Sequence, residues 1–511
     1  MSRVVEVLAG ILLIAAGGRA AAAEDPGVAV AVAPDAGASD ASPSGTVEMG
    51  NAPSEPVSSG GAGLFEQGSS AGSAAASVSG SAGAGPDSFK LSGYVRGDMY
   101  LGKVTGAGQA DMKAGYGEAA IAVRTKKEAL GDGFADLRLR YGMQGEKQQS
   151  AVVDVREAYV NAYLGPVDLR LGKQIIVWGR ADMLNPTNNL TPNDLRVRSP
   201  IEDDRRIGNV GARAFLRFAP FRLEGVWIPT YVPSELPPVL LPEFVSYGTP
   251  LFPEPKLKNG LEGGRLHLEL ASVEMSVSYL NGYAPLPGLT LTNLTFDLVN
   301  PSVLVARTAY KHQVVGFDFS TALGDILAIR GEAAYRRPYE YQNRIYVPRP
   351  DLQYVLGADH TFGSVSVIAQ YLGRYAFDWK KENGPLMELD PSVLKMTQAD
   401  GESYRKSYTE TINSQLAKTN QMLFSQTEKV QHLGTVRVEW LTAHDTLSVS
   451  ALGMFNFTTR EWLAAPKVGY RLSDALTLYV GAEILTGPRG TLFGVVDQTL
   501  SAGYAELRST F

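Results

Sequence analysis

The sequence predicts an all-β fold, a transmembrane antiparallel β-barrel of about 18 strands. Short segments that alternate polar and apolar residues recur from residue 88 to residue 511. This is the pattern of strands with one face toward lipid and the other toward a wet interior. The connectors between the segments alternate short and long, because tight turns gather at the periplasmic end of such barrels and long loops at the outer end. A soluble β-sandwich has no reason to sort its connectors in this way.

Composition narrows the alternatives. The chain has 511 residues, a net charge of −6 and no cysteine. Beyond residue 23, no run supplies the ~20 consecutive apolar residues of a membrane-spanning helix. The acidic charge balance does not support nucleic-acid binding, and the lack of cysteine excludes disulfides, CxxCH haem attachment and zinc–thiolate sites. We therefore expect no cofactor, no metal site and no nucleic-acid partner.

The first 23 residues predict a signal peptide for export. Arg3 supplies the positive charge, an apolar run follows at residues 7–16, and small residues at 21–23 form a cleavage site. This segment is too short and wrongly flanked to be a stop-transfer helix.

Residues 24–87 predict a disordered periplasmic linker, because they are almost wholly Ala, Gly, Ser, Pro and Val and cannot bury a core. The barrel is then expected at residues 88–511, in the outer membrane of a Gram-negative bacterium. Its predicted strands begin near residues 88, 115, 132, 151, 167, 207, 220, 261, 273, 305, 325, 351, 364, 431, 445, 462, 474 and 500.

Polar faces of the strands predict the wall of the lumen. Arg265, His267 and Glu269 alternate with leucines, and a charged row facing hydrocarbon would be costly. A change of parity at Arg156 and Glu157 predicts a β-bulge. Two interpretations remain open: the arginines form a ladder for anionic solutes, or they pair with neighbouring carboxylates and only solvate the wall. The predicted wall residues are Arg138, Arg140, Arg170, Arg213, Arg217, Arg265, Glu269, Arg330, Glu332, Arg437 and Glu439.

The connector at residues 178–206 is the predicted pore constriction. It carries both charge signs, and charged rings at a narrow point decide which solutes pass. The alternative is an exposed loop held by its Asn-Pro and Thr-Pro turns. The predicted constriction residues are Asp182, Asn185, Asn188, Asp194, Arg196, Arg198, Asp203, Asp204, Arg205 and Arg206.

The connector at residues 378–431 predicts a helix, because apolar residues recur in it at helical spacing. Such a helix would plug the pore, cap it from outside, dock a partner or pack on the rim. The residues that carry this spacing are Tyr404, Tyr408, Ile412, Leu416 and Leu423.

Two short motifs resemble known outer-membrane proteins. The terminal Phe511 closes a predicted strand and resembles the signal by which the barrel-assembly machinery recognises its clients. The run LGKQIIVWG at residues 171–179, followed by Asn185-Pro186, resembles the LGxQxxxWG…NP passage of poorly characterised porin-like families from Gram-negative bacteria. That resemblance implies a barrel fold and an outer-membrane location. It implies no substrate and no catalytic residue.

The predicted function is an outer-membrane porin or channel for small hydrophilic solutes, anionic ones included. The alternative is a barrel that serves as scaffold or sheath for an envelope assembly. An enzyme is not expected, because the five histidines are scattered without a nucleophile motif. The expected partners are the lipid bilayer, lipopolysaccharide and the barrel-assembly machinery, with homo-oligomerisation left open.

Overall fold

The computed structural model describes residues 87–103, 110–127, 131–144, 149–237, 245–295, 302–324, 327–382 and 402–511. The predicted signal peptide lies outside these ranges. So does the predicted linker, except for Asp87, which begins the first strand. Among the described residues, no helix is both long and apolar enough to cross a membrane.

Eighteen antiparallel strands form a closed barrel, as predicted. Neighbours in the sequence pair with each other, and the last strand pairs with the first, from Tyr94 opposite Thr510 to Leu101 opposite Gly503. Closure leaves no unpaired sheet edge. The barrel strands are β1 (Asp87–Lys103), β2 (Ala110–Lys127), β3 (Gly131–Gln144), β4 (Gln149–Leu164), β5 (Val167–Gln174), β6 (Asn209–Phe218), β7 (Phe221–Ile228), β9 (Leu261–Glu269), β10 (Val273–Tyr283), β13 (Lys311–Leu323), β14 (Leu327–Pro338), β15 (Asp351–Phe362), β16 (Val365–Ala376), β17 (Val430–Thr442), β18 (Leu447–Asn456), β19 (Trp462–Arg471), β20 (Leu476–Thr486) and β21 (Ala502–Thr510).

The connectors sort by side in the structure as they do in the sequence. Turns of a few residues join β4 to β5, β6 to β7 and β15 to β16, all at one end of the barrel. The opposite end carries the long connectors, at residues 175–208, 229–260, 284–310, 339–350, 377–429 and 487–501.

One predicted strand is wrong. The strand expected near residue 305 begins instead at Lys311. The segment Ser302–Thr308 (β12) forms a separate small sheet with Val245–Tyr247 (β8) and Gly288–Thr295 (β11). Its alternating valines face a protein core rather than lipid, so alternation alone could not distinguish the two environments.

The predicted β-bulge is confirmed. It lies at Arg156, which has no opposite residue because Asp136 pairs with Glu157 and Leu137 with Val155.

The two faces of the barrel differ as in a transmembrane barrel. Outward residues such as Val95 and Leu507 are 54% and 46% exposed, whereas inward Arg96 and Glu506 are buried. An apolar outer face suits hydrocarbon, and the charged groups lie in the interior.

Connectors at the long-loop end fold into a shared apolar core, called the loop core here. Besides the small sheet, it includes helices α1 (Glu402–Leu423) and α2 (Leu492–Leu500). Asn420 ties α1 to the sheet, because its side chain accepts from Leu289 N and donates to Leu289 O, both at 2.8 Å. The connectors involved leave the ring about half a turn apart, so the core extends across this end of the barrel. Its buried residues are Leu236, Val245, Leu289, Val303, Val305, Ile412, Leu416, Met422, Leu423, Leu485 and Val496.

Candidate functional site

The connector at residues 175–208, called the inward loop here, lies inside the barrel. Trp178 is almost fully buried, and its Nε1 donates to Glu224 on β7 at 2.9 Å. The Arg180 guanidinium bonds Asp318 on β13 at 2.8 Å. An exposed surface loop could not make these contacts with inward side chains. That the charges of the inward loop select which solutes pass stays a prediction.

Glu332, on β14, receives the first half of the inward loop. Its carboxylate accepts from the backbone N–H groups of Arg180 at 3.0 Å, Ala181 at 3.1 Å and Thr187 at 2.7 Å. It also accepts from the Thr187 hydroxyl at 2.7 Å. Gly179 makes this close approach feasible: its φ is +100°, and a Cβ there would overlap Asn185 and lie 2.5 Å from Glu332 Oε1. The structure thus explains why a glycine follows Trp178 in the run at residues 171–179.

Asp204 holds the second half of the loop against the opposite wall. Its carboxylate lies 2.8 Å from Arg96 on β1, 2.7 Å from Arg138 on β3 and 3.3 Å from Arg156 on β4. The Ser199 hydroxyl donates to it at 2.5 Å. Burial alone would raise the pKa of the Asp204 carboxyl, but the three guanidiniums outweigh burial and hold that pKa below its ordinary value. The carboxylate therefore stays ionised throughout the physiological pH range.

Other predicted constriction residues form ion pairs with the wall or within the loop. Asp182 pairs with Arg437 on β17 at 2.8 Å, and Arg205 pairs with Glu483 on β20 at 3.1 Å. The Arg205 and Glu483 side chains keep 31% and 24% of their surface exposed. Arg206 pairs with Asp203 within the loop at 2.9 Å. The Asp182 side chain is only 4% exposed, and Arg437, Arg206 and Asp203 are less exposed than the Arg205–Glu483 pair. Arg205 and Glu483 are therefore the better candidates for contact with a solute.

The remaining predicted constriction residues shape the loop or bond its surroundings. Asn185 accepts from the Asn188 backbone N–H at 3.1 Å, which closes a turn. Asp194 pairs with Arg196 at 2.8 Å. Arg198 donates to the backbone carbonyls of Leu500 and Thr499 in the last long connector, and burial lowers its pKa. The structure therefore separates this predicted set into groups that shape the loop and groups, such as Arg205, whose side chains stay partly exposed.

Most of the predicted wall arginines are paired with carboxylates. Arg170 is the exception: its Nε bonds Asn161 at 2.8 Å, and its guanidinium lies 4.0 Å from the Tyr159 ring centroid. No carboxylate among the described residues lies within 4.0 Å of the Arg170 guanidinium. The pairs are Arg138 with Asp136, Arg140 with Glu118, Arg213 with Glu224, Arg217 with Asp168, Glu269 with Arg222, Arg265 with Asp318, Arg330 with Asp359, and Arg437 with both Asp182 and Glu439.

Sequence reasoning missed several residues that hold the loop. Arg96, Glu224 and Asp318 lie at inward positions of their strands, and the alternation in β1, β7 and β13 carried the signal that could have found them. Trp178 and Arg180 belong to the loop itself. Within the described part of the chain, no cluster of three or more His, Asp or Glu side chains is arranged to hold a metal ion.

No protein-family model and no curated protein matches this chain. Among solved structures, it is similar to OccK2 (OpdF) of Pseudomonas aeruginosa, with 10% identity over 83% of this chain and 97% of that chain and a TM-score of 0.46. It is also similar to a BenF-like porin of Pseudomonas fluorescens Pf-5, with 10% identity over 83% and 98% of the two chains and a TM-score of 0.47. OccAB1 of Acinetobacter baumannii shows 9% identity over 83% and 96%, with a TM-score of 0.47. These similarities assign no solute and no site residue to this chain.

Proposed function

We propose that this protein is a channel of the bacterial outer membrane that conducts small hydrophilic solutes. Its closed barrel has an apolar outer face and a charged interior. Barrels of 16–18 strands are wide enough to leave an aqueous channel. The location and the transport function are our inferences from these properties.

The observation that carries the proposal is the course of the inward loop. It meets β14 through Glu332 and the β1, β3 and β4 wall through Asp204. These walls lie about half a ring apart, so the loop crosses the lumen. A protein that only needed an anchor in the membrane would have no use for a polar partition inside its barrel. A partition with charged edges is what a selective passage for small solutes requires.

We further propose a modest preference for anionic solutes. Support comes from a group of side chains on the inner wall of β2 to β5. Arg170 stacks on Tyr159, and Arg124 lies 5.2 Å from the Phe134 ring centroid. No carboxylate among the described residues lies within 4.0 Å of either guanidinium. Elsewhere on the wall most arginines are neutralised, so the preference is expected to be small.

The decisive experiment is single-channel recording of the purified protein in planar bilayers. We expect discrete conductance steps and, in a KCl gradient, a reversal potential displaced toward that of chloride. Liposome swelling with sugars of increasing size would then measure the size limit. If neither the wild-type protein nor a variant lacking α1 conducts, the channel proposal fails.

The alternative function, a scaffold for an envelope assembly, has one observation in its favour. The loop core extends across the outer end of the barrel and presents a folded surface there. A barrel that never conducts but retains a bound envelope protein after crosslinking in cells would support this alternative.

We also propose that the barrel-assembly machinery recognises this protein through Phe511. The support is its position directly after β21, with 57% of the residue's surface exposed. Phe511→Ala should lower the amount of folded protein in the outer membrane, whereas Phe362→Ala, at another exposed strand end, should not. Equal amounts of all three proteins would contradict this assignment.

A further inference from the structure

We propose that Glu332 and Asp204 are positioning residues that hold the two halves of the inward loop and thereby set the width of the passage, without lining it. This inference rests on the proposed channel function. Glu332 is 4% exposed and the Asp204 side chain 3% exposed. Neither carboxylate can meet a passing solute, so their contribution to transport is indirect.

Glu332 acts as a single acceptor for four donors of the loop. Three are backbone N–H groups, which cannot find another acceptor at this depth without the loop moving. The donors come from both ends of the segment between Arg180 and Thr187, so one carboxylate closes this segment into a bend. A glutamine would present an amide NH₂ to donors where an oxygen is needed. The isosteric variant should therefore release one side of the bend.

Asp204 supplies the only loop carboxylate among the guanidiniums of Arg96, Arg138 and Arg156. Those arginines have other partners on the wall, since Glu118 lies 2.7 Å from Arg96 and Asp136 lies 3.3 Å from Arg138. Wall carboxylates therefore still neutralise part of the positive charge of these arginines when the loop is released. An asparagine at residue 204 would leave three positive groups facing a neutral amide, which favours withdrawal of the loop from this wall.

The two anchors act on opposite walls, and the loop is held between them. Losing one anchor frees only its own half of the loop, so the two variants should differ in where the loop becomes accessible. The loop residues Asp182 and Arg205 would then lose their fixed distances from their wall partners, Arg437 and Glu483. Width and selectivity are thus linked through buried groups.

The test combines conductance with thiol labelling, because the natural chain has no cysteine. Ala181→Cys reports on the Glu332 half and Ile201→Cys on the Asp204 half. Each is combined with Glu332→Gln, Asp204→Asn or the control Glu269→Gln, a wall carboxylate paired with Arg222. We expect E332Q to speed the labelling of A181C, and D204N that of I201C, by about tenfold. Each should raise single-channel conductance by about twofold. The control should change neither.

Folding and function can be separated in this experiment. Heat-dependent mobility on electrophoresis reports a closed barrel, and Glu332→Asp and Asp204→Glu serve as milder variants that retain the charge. They should restore most of the wild-type labelling rate. If E332Q and D204N fold but label and conduct like the wild type, the inference is overturned while the channel function stands. If neither the wild type nor the variant lacking α1 conducts, the channel proposal fails, and labelling rates still decide whether the two carboxylates anchor the loop.

Discussion

Asp182 of the inward loop and Arg437 of the β17 wall form a 2.8 Å ion pair. The sequence predicted Asp182 at the constriction and Arg437 on the wall, but did not predict that these two residues pair with each other. If the inward loop narrows the passage as we propose, removing either partner uncovers the charge of the other where screening is weak. The pair therefore predicts two opposite changes in selectivity.

Neutralising one partner at a time should move the reversal potential in opposite directions. Asp182→Asn leaves Arg437 with only the more distant Glu439 carboxylate, at 3.9 Å, and should shift the selectivity toward anions. Arg437→Gln leaves Asp182 uncompensated and should shift it toward cations. Glu254→Gln, in a long connector with a side chain 70% exposed, is the control and should have no effect. Shifts of equal sign in the two variants would mean that these residues do not border the passage.

Adjacent residues of β18 test which face meets lipid. Ser450 lies opposite Glu439 and faces inward, and the next residue, Ala451, is exposed on the outer face. Ala451→Arg should lower the free energy of unfolding by about 2–4 kcal/mol if it lies near the bilayer midplane, whereas Ser450→Arg should be tolerated beside Glu439. Denaturant titration in lipid vesicles measures both. Similar losses would show that the assignment of faces in β18 is wrong.

The sorting of connectors predicts which end of the barrel faces outward. An epitope inserted between Pro255 and Lys256, in a long connector, should bind antibody on intact cells. An epitope inserted between Gly363 and Ser364, in a short turn, should bind only after the outer membrane is permeabilised. The opposite result would invert the topology.

The barrel could be predicted from the sequence because each strand carries its own periodic signal. Alternation such as that from Arg265 to Glu269 depends only on one wet and one apolar face, and connector length depends only on the side of the membrane. The same reasoning failed for β12, where Val303 and Val305 alternate because they enter the loop core. Alternation shows that every second residue is turned away from water, but it does not show whether lipid or a protein core covers that residue.

The site was less predictable because its contacts join distant parts of the chain. The sequence identified Asp204 as a charged loop residue, but it did not identify Arg96 and Arg156 as its partners. These residues come together only because the barrel closes. Glu332 was predicted as wall, whereas its carboxylate serves the backbone of Arg180 and Thr187. Backbone donors have no sequence signature, so this role could not have been read from residue types.

The loop core predicts a barrier at the outer end of the passage. Leu416 lies fully buried in that core on α1, while Thr411 on the same helix is exposed. Leu416→Asp would bury an unpaired carboxylate and should destabilise the packed core by about 3 kcal/mol or more. We expect the helix to become cleavable by external protease on intact cells and the single-channel conductance to rise. Thr411→Asp adds the same charge at the surface and should do neither. Protease sensitivity in L416D without any change in conductance would show that the loop core folds independently of the passage and does not obstruct it.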